Sequence, residues 1–283
     1  MESRYDEIGL RRCLLAVSVL HDLDLVQGPA GVLLSEPPAV TVSWAECRQA
    51  LRQADPEGPA ARTRLAGWLH ARRRLAGLSP PEIARRTGPL GMAVGSSIHP
   101  GPEWVRRPVL GGALDLGLGL LGPDPTRPDD VLALPAGVLA AVAFDGAARW
   151  PAAVDHLERM GALAAQRWAR DPTAALRPMG SCDVVTLLGS ATLRSALSGG
   201  TAGGMRAVAV PMRTRGWLDL SRIDPAFAMA AAAATDSAER GFDGPLLVTA
   251  DEVVRPVPGG RPAEIVLRDP AVASLGLRDV LYR

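Results

Sequence analysis

The chain has 283 residues, 47% of them hydrophobic and 22% charged, with a net charge of +1. That content builds one large core or two modest ones, and it carries no global field that would mark nucleic acid or an anionic membrane as the partner. All 31 basic residues are arginine, which excludes a Schiff-base lysine, covalently held pyridoxal phosphate and the lysine of a P-loop.

Residues 5–20 read as a helix, with Ile8, Leu15 and Val19 at helical spacing. A Gly- and Pro-marked stretch, 27–38, follows, and 39–42 is the one convincing strand before residue 87. Ser43 and Glu46 stand in capping-box relation at the start of a helix over 44–54. Pro56, Gly58 and Pro59 break it, and 60–76 resumes with Leu65, Trp68, Leu69 and Leu75 as its apolar stripe. Ser79, Pro80, Pro81 and Glu82 open another helix. Residues 1–88 are therefore expected to form a mainly helical N-terminal region.

Glycine and proline density makes 87–108 a loop, with 89–103 linking to a mixed α/β region, 104–283. Within that region Leu114, Leu116, Leu118 and Leu120 alternate with Asp115, Gly117 and Gly119, a strand with one bulky and one bare face. A bare face implies that something packs close to the backbone. Strand-like 131–134 precedes a helix from Ala136, and 151–170 is the clearest amphipathic helix, with Val154, Leu157, Gly161, Ala164 and Trp168 on one side. Residues 183–188 read as a buried strand, 190–197 as a short helix and 205–212 as another strand. Asp224 caps a helix that has Pro225 at its first position, and 245–249 and 265–268 are the last strand-like runs. The expected fold class is α/β or α+β: a helical N-terminal part, then a mixed, partly parallel sheet flanked by helices.

Cys13, Cys47 and Cys182 lie far apart without CxxC spacing, so neither a disulfide framework nor a structural zinc site is expected, and a cytoplasmic setting fits. The acidic start, Glu2, Asp6 and Glu7, does not suit a signal peptide, and no apolar run approaches the ~20 residues of a membrane helix. His21, His70, His99 and His156 share no HxxxH or HExxH spacing, so no metal set is expected. His99, in the 96–102 loop, is the histidine placed most like a site residue. Cys182 reads as a small buried residue rather than a nucleophile. Asp219, Arg222 and Asp224 read as an ion-pair network around a turn rather than an acid/base set. Gly117, Gly119 and Gly122 spell GxGxxG, but inside a strand and ahead of Pro123 and Pro125, not at a strand-to-helix turn. No cofactor is identified.

Two readings of function remain. In the first, a small-molecule-binding protein or enzyme recognises a phosphate or carboxylate at Gly189, Ser190, Thr192, Arg213 and Arg215. The N–H groups of a helix starting at Ser190 favour an anion, and arginine binds one as a fork. If the strands at 183 and 205 are parallel neighbours, Ser190 and Arg213 share the edge where open α/β sheets bind ligands. Gly199, Gly200, Gly203 and Gly204 would let the adjoining loop close. The bland alternative is an ordinary N-cap by Ser190. The second reading starts from residues 62–86, where Arg62, Arg64, Arg72, Arg73, Arg74, Arg85 and Arg86 face one acid, Glu82. This face would engage nucleic acid or an acidic partner, and Arg62, Arg72, Arg73 and Arg86 are expected to be mostly exposed. Residues 78–88 resemble the first helix of a helix-turn-helix reader, but Pro89, Gly91, Gly95 and Pro100 occupy the place of the second.

Overall fold

A computed structural model describes residues 2–256 apart from 52–53, 97, 122–131, 173–174, 202 and 234–238. Its first helix, α1 (Glu2–Leu20), buries Leu10, Cys13, Leu14 and Val17 and leaves Ile8, Leu15 and Val19 exposed. Both sets repeat at helical spacing, so periodicity alone selects the wrong face. Then β1 (Leu25–Gln27), β2 (Gly31–Leu34) and β3 (Val40–Ser43) form an antiparallel sheet in that order. The second lies in the 27–38 stretch that glycine and proline had marked, and the first ends at its first residue. Gly31 explains part of this: a Cβ there would meet Val42 O at 2.2 Å, so glycine serves close strand pairing.

Helix α2 (Trp44–Leu51) starts on its capping box, with Ser43 N donating to Glu46 Oε2 at 2.9 Å and Glu46 N to Ser43 Oγ at 3.2 Å. Helix α3 (Pro59–Ala76) buries Leu65, Trp68, Leu69 and Leu75, the expected stripe. Helix α4 (Pro80–Arg86) repeats the box with Ser79 and Glu82.

The interval expected as a loop begins with a strand. β4 (Thr87–Ala93) is buried throughout and pairs antiparallel with β6 (Leu114–Leu120), while β5 (Arg107–Pro108) lies on the other side of β6. Its glycine and proline have other causes. Gly91 lets the strand touch the backbone of Thr186, where a Cβ would lie 2.8 Å from Cα, and Pro89 is tolerated because β4 is an edge strand. The bare face of β6 behaves as expected. Trp104 covers Gly117 and donates its indole N–H to Leu118 O at 2.8 Å, and Leu90 covers Gly119. Gly117 and Gly119 therefore serve packing, and Gly122 lies outside the described residues.

After β7 (Leu132–Ala133), which pairs with β6, come α5 (Ala136–Ala140) and the long α6 (Gly146–Arg170), capped by Asp145. The expected strand at 183–188 is instead a buried helical turn, α7 (Val184–Leu187), because Asp183 accepts from Thr186 N at 2.8 Å and so caps it. An apolar run buried all round fits either conformation. Next come α8 (Ala191–Ser198), β8 (Arg206–Met212), β9 (Arg215–Trp217), α9 (Pro225–Ala233) on its Asp224 cap, β10 (Leu246–Val248) and β11 (Val253–Val254). These four strands form an antiparallel sheet in the order β11-β10-β8-β9. With 184–187 helical, the parallel pair expected between 183 and 205 does not form, and the pairings between the named strands are antiparallel. Residues 265–268 lie outside the described residues.

The fold is mixed α/β. One core joins Leu10, Leu14, Leu65 and Leu69 to Leu118 and Leu120 of β6. A second joins Leu114 and Leu116 of the same strand to Leu157, Val185, Val208 and Leu246. Among the described residues no helix is long and apolar enough to cross a membrane.

Candidate functional site

The helix N-terminus at Ser190 does hold an anion, and the anion is the chain's own. Glu158, on α6, accepts from Ser190 Oγ at 2.7 Å, Ala191 N at 3.0 Å and Thr192 N at 3.0 Å, while Ser190 Oγ accepts from Leu193 N. Burial pushes the Glu158 carboxyl up, but the donors from Thr192, Ser190 and Ala191 outweigh it and hold the group below its ordinary value. Gly161, one turn along α6, admits this close approach, since a Cβ there would lie 2.0 Å from Ser190 Oγ. Gly189 packs on Leu116 rather than opening to a ligand.

Arg213 is occupied as well. It is 4% exposed and donates Nε and Nη2 to Asp183 Oδ2 at 3.0 and 2.6 Å and Nη2 to Gly91 O at 2.8 Å. Asp183 also caps α7, and Thr186 Oγ1 accepts from Gly91 N at 2.9 Å. The cluster ties together β4, α7 and the end of β8. Arg215 instead lies against the rings of Phe227 and Trp217, 5.0 and 5.8 Å from their centroids. The five residues read from the sequence are thus divided among three places, and Ser190 and Arg213 each answer to a separate internal acid.

The basic segment is also partly consumed. Arg72 is buried and pairs with Glu46 at 3.1 Å, against the expectation of exposure. Arg73 pairs with Glu36, and Arg85 lies 3.9 Å from Glu82. Arg62, Arg73 and Arg86 are half-buried. No second reading helix follows α4, because β4 starts at Thr87.

What the sequence did not foresee is a cleft of about 850 Å³ beside α3, within the ~300–1,000 Å³ of small-molecule sites. Arg62, Arg64, Trp68 and His70 of α3 form one wall, with His21 beyond the end of α1. Met92, Ile98, Pro100 and Glu103 face them, and Leu132, Ala133 and Pro135 complete the lining. Arg62 donates to Glu57 O at 3.3 Å, and the Arg64 guanidinium sits over Gly101, whose φ of +94° suits glycine. Among the described residues neither arginine forms an ion pair, unlike Arg72 and Arg73. The Trp68 indole N–H is buried without a hydrogen-bond partner among the described residues.

The cleft histidines are neutral near pH 7. Their rings meet edge to face at 6.3 Å. Burial lowers His21 below its ordinary value, and burial together with Arg73, His21 and Arg74 pushes His70 down to about 4. His99 has a positioning role: its Nδ1 accepts from Gly101 N at 3.0 Å and its Nε2 faces Asp115 at 3.2 Å. Burial lowers it too, against the pull of Asp115. The pair shapes the turn on which Arg64 rests. His156 bonds Ser181 Oγ at 2.8 Å.

Cys13, Cys47 and Cys182 are buried free thiols pushed up to about 11, 12 and 12, chiefly by burial, which leaves them protonated and weakly nucleophilic. Asp219 and Arg222 pair at 3.2 Å and Asp224 separately caps α9, so the three form one ion pair and one cap. Among the described residues no three His, Cys, Asp or Glu side chains gather as a metal site would require.

Comparison with protein-family models, curated proteins and solved structures gave no match.

Proposed function

We propose that this chain binds a small molecule carrying a carboxylate or phosphate and an apolar body, in the cleft beside α3. The observation that carries the reading is the cleft's contents: two arginines with no acid partner among the described residues, set in a largely apolar hollow of ligand size. Arg62 and Arg64 would take the acidic group, since a fork of N–H donors binds an oxyanion in two bonds. Neutral His21 and His70 offer ring nitrogens for further hydrogen bonds, and Trp68, Met92 and Leu132 face the apolar part. This keeps the anion-recognising function read from the sequence but moves it from Ser190 and Arg213 to α3. Pairing of Arg72, Arg73 and Arg85 with acids lowers the free charge that a nucleic acid would need, so the small-molecule reading is the better supported.

The test is a thermal-shift screen against carboxylated and phosphorylated metabolites. A binder at one hundred times its Kd stabilises by about 2.7 kcal/mol. Arg64→Ala should abolish that shift while changing the stability of the free protein by no more than about 0.5 kcal/mol, as for a surface substitution. A panel without a hit, or a hit whose shift survives in both Arg62→Ala and Arg64→Ala, overturns the reading.

A further inference from the structure

A different set of arginines gathers where α6 ends. Leu176 and Gly216 form an isolated antiparallel bridge, with N–H to O distances of 2.6 and 3.0 Å in the two directions. That register sets Arg177 opposite Arg215, and like charges in such a position repel. Arg167, in the last turn of α6, adds a third: burial, then Arg215 and Arg167, push the Arg177 guanidinium below its ordinary value. Among the described residues none of the three forms an ion pair. Arg215 is held against the Phe227 and Trp217 rings, and its Nε is buried with no acceptor among the described residues. The Trp168 indole N–H is likewise buried with no acceptor among the described residues, and Trp168 lies in the wall of a hollow of about 20 Å³ that Arg167 and Arg177 also line. Arg206 lies over the Trp168 ring at 5.1 Å.

Among the described residues, three cations without an ion pair and two buried donors without an acceptor gather here, a set that favours a negative oxygen. We propose that Arg167, Trp168, Arg177 and Arg215 form a second site, for a small oxyanion of the phosphate or sulfate class. The hollow exceeds the ~10–15 Å³ that one water requires, so it receives one oxygen of the anion beside Trp168 while the others meet Arg167 and Arg177, which line it. Arg215 does not line the hollow and contributes from its place opposite Arg177.

The experiment follows the six tryptophan indole N–H signals of the full chain by ¹H–¹⁵N NMR, with Trp168 assigned through Trp168→Phe. Inorganic phosphate should move the Trp168 signal in a saturable way, and sodium chloride of equal ionic strength should not. Arg177→Ala should weaken the titration about tenfold or more, the scale of a lost charged hydrogen bond, and Arg64→Ala, in the cleft, should leave it unchanged. Arg177 is exposed, so its removal leaves the cores intact. A Trp168 signal that ignores phosphate or follows ionic strength alone overturns the proposal. So does a titration that is unchanged in both Arg177→Ala and Arg215→Gln.

Discussion

The junction of β4, α7 and β8 and the cleft beside α3 draw on the same residue types and reach opposite states. At the junction Arg213 is almost fully buried and spends its donors on Asp183 and the Gly91 carbonyl, and close by Glu158 fills the N-terminus of α8. In the cleft Arg62 and Arg64 meet a backbone carbonyl and the flat face of a glycine, and no acid among the described residues closes on them. The difference lies in the partners. An acid brought from far along the chain turns an arginine or a helix end into internal bracing, and its absence leaves the group available to a ligand.

The largest expected effect tests the bracing. Arg213→Ala strands the Asp183 carboxylate and the Gly91 carbonyl in a buried setting, and a broken buried pair costs about 3–5 kcal/mol. Urea denaturation should show it, and a loss under 1 kcal/mol would dissolve the contrast. Glu158→Gln keeps the shape but removes the charge at three donors, for a loss of about 1–2 kcal/mol, the scale of a cap. Because the folded Glu158 lies below its ordinary value, the contribution is present at neutral pH and lost on acidification through the folded value. The variant should therefore differ most from the parent at neutral pH and least at low pH.

An effect of the same scale as that of Glu158 concerns the cleft. His70 is held neutral down to about 4, whereas the unfolded chain takes up the proton near 6.5. Between those values the unfolded state binds more protons, so stability falls as pH drops from about 6.5 towards 4. The share of His70 is about 1–2 kcal/mol once screening by solvent at this half-buried ring is allowed for. His70→Gln should flatten that part of the stability curve, and an unaltered slope would show that the cleft does not shift this ring.

Where a signal is local, the sequence was a good guide. Ser43 with Glu46, Ser79 with Glu82, and Asp224 before Pro225 each mark a helix start through contacts within three residues. The glycine face of β6 was legible because a bare strand face has one ready explanation, and Trp104 supplied it. The failures are contacts across long separations. Gly91 reads as a loop breaker until Thr186 is laid against it, and the apolar run at 184–187 is ambiguous until Asp183 caps it. The site suffered in the same way. Ser190 was correctly read as a helix start that favours an anion, but nothing near it in sequence announces Glu158. Arg62 and Arg64 were visible as charges, yet the opposite wall, from Met92 to Pro135, appears only with the fold.

Strand β6 gives Leu118 and Leu120 to one core and Leu114 and Leu116 to the other. Neither half of the molecule can therefore melt alone, since loosening one end of a seven-residue strand frays the other. Both cores should unfold in a single cooperative transition despite their separate memberships. A chain severed before β6 would leave the N-terminal fragment without four buried leucines of its core, Leu118, Leu120, Leu134 and Leu139, and the pieces would recover native structure only when mixed.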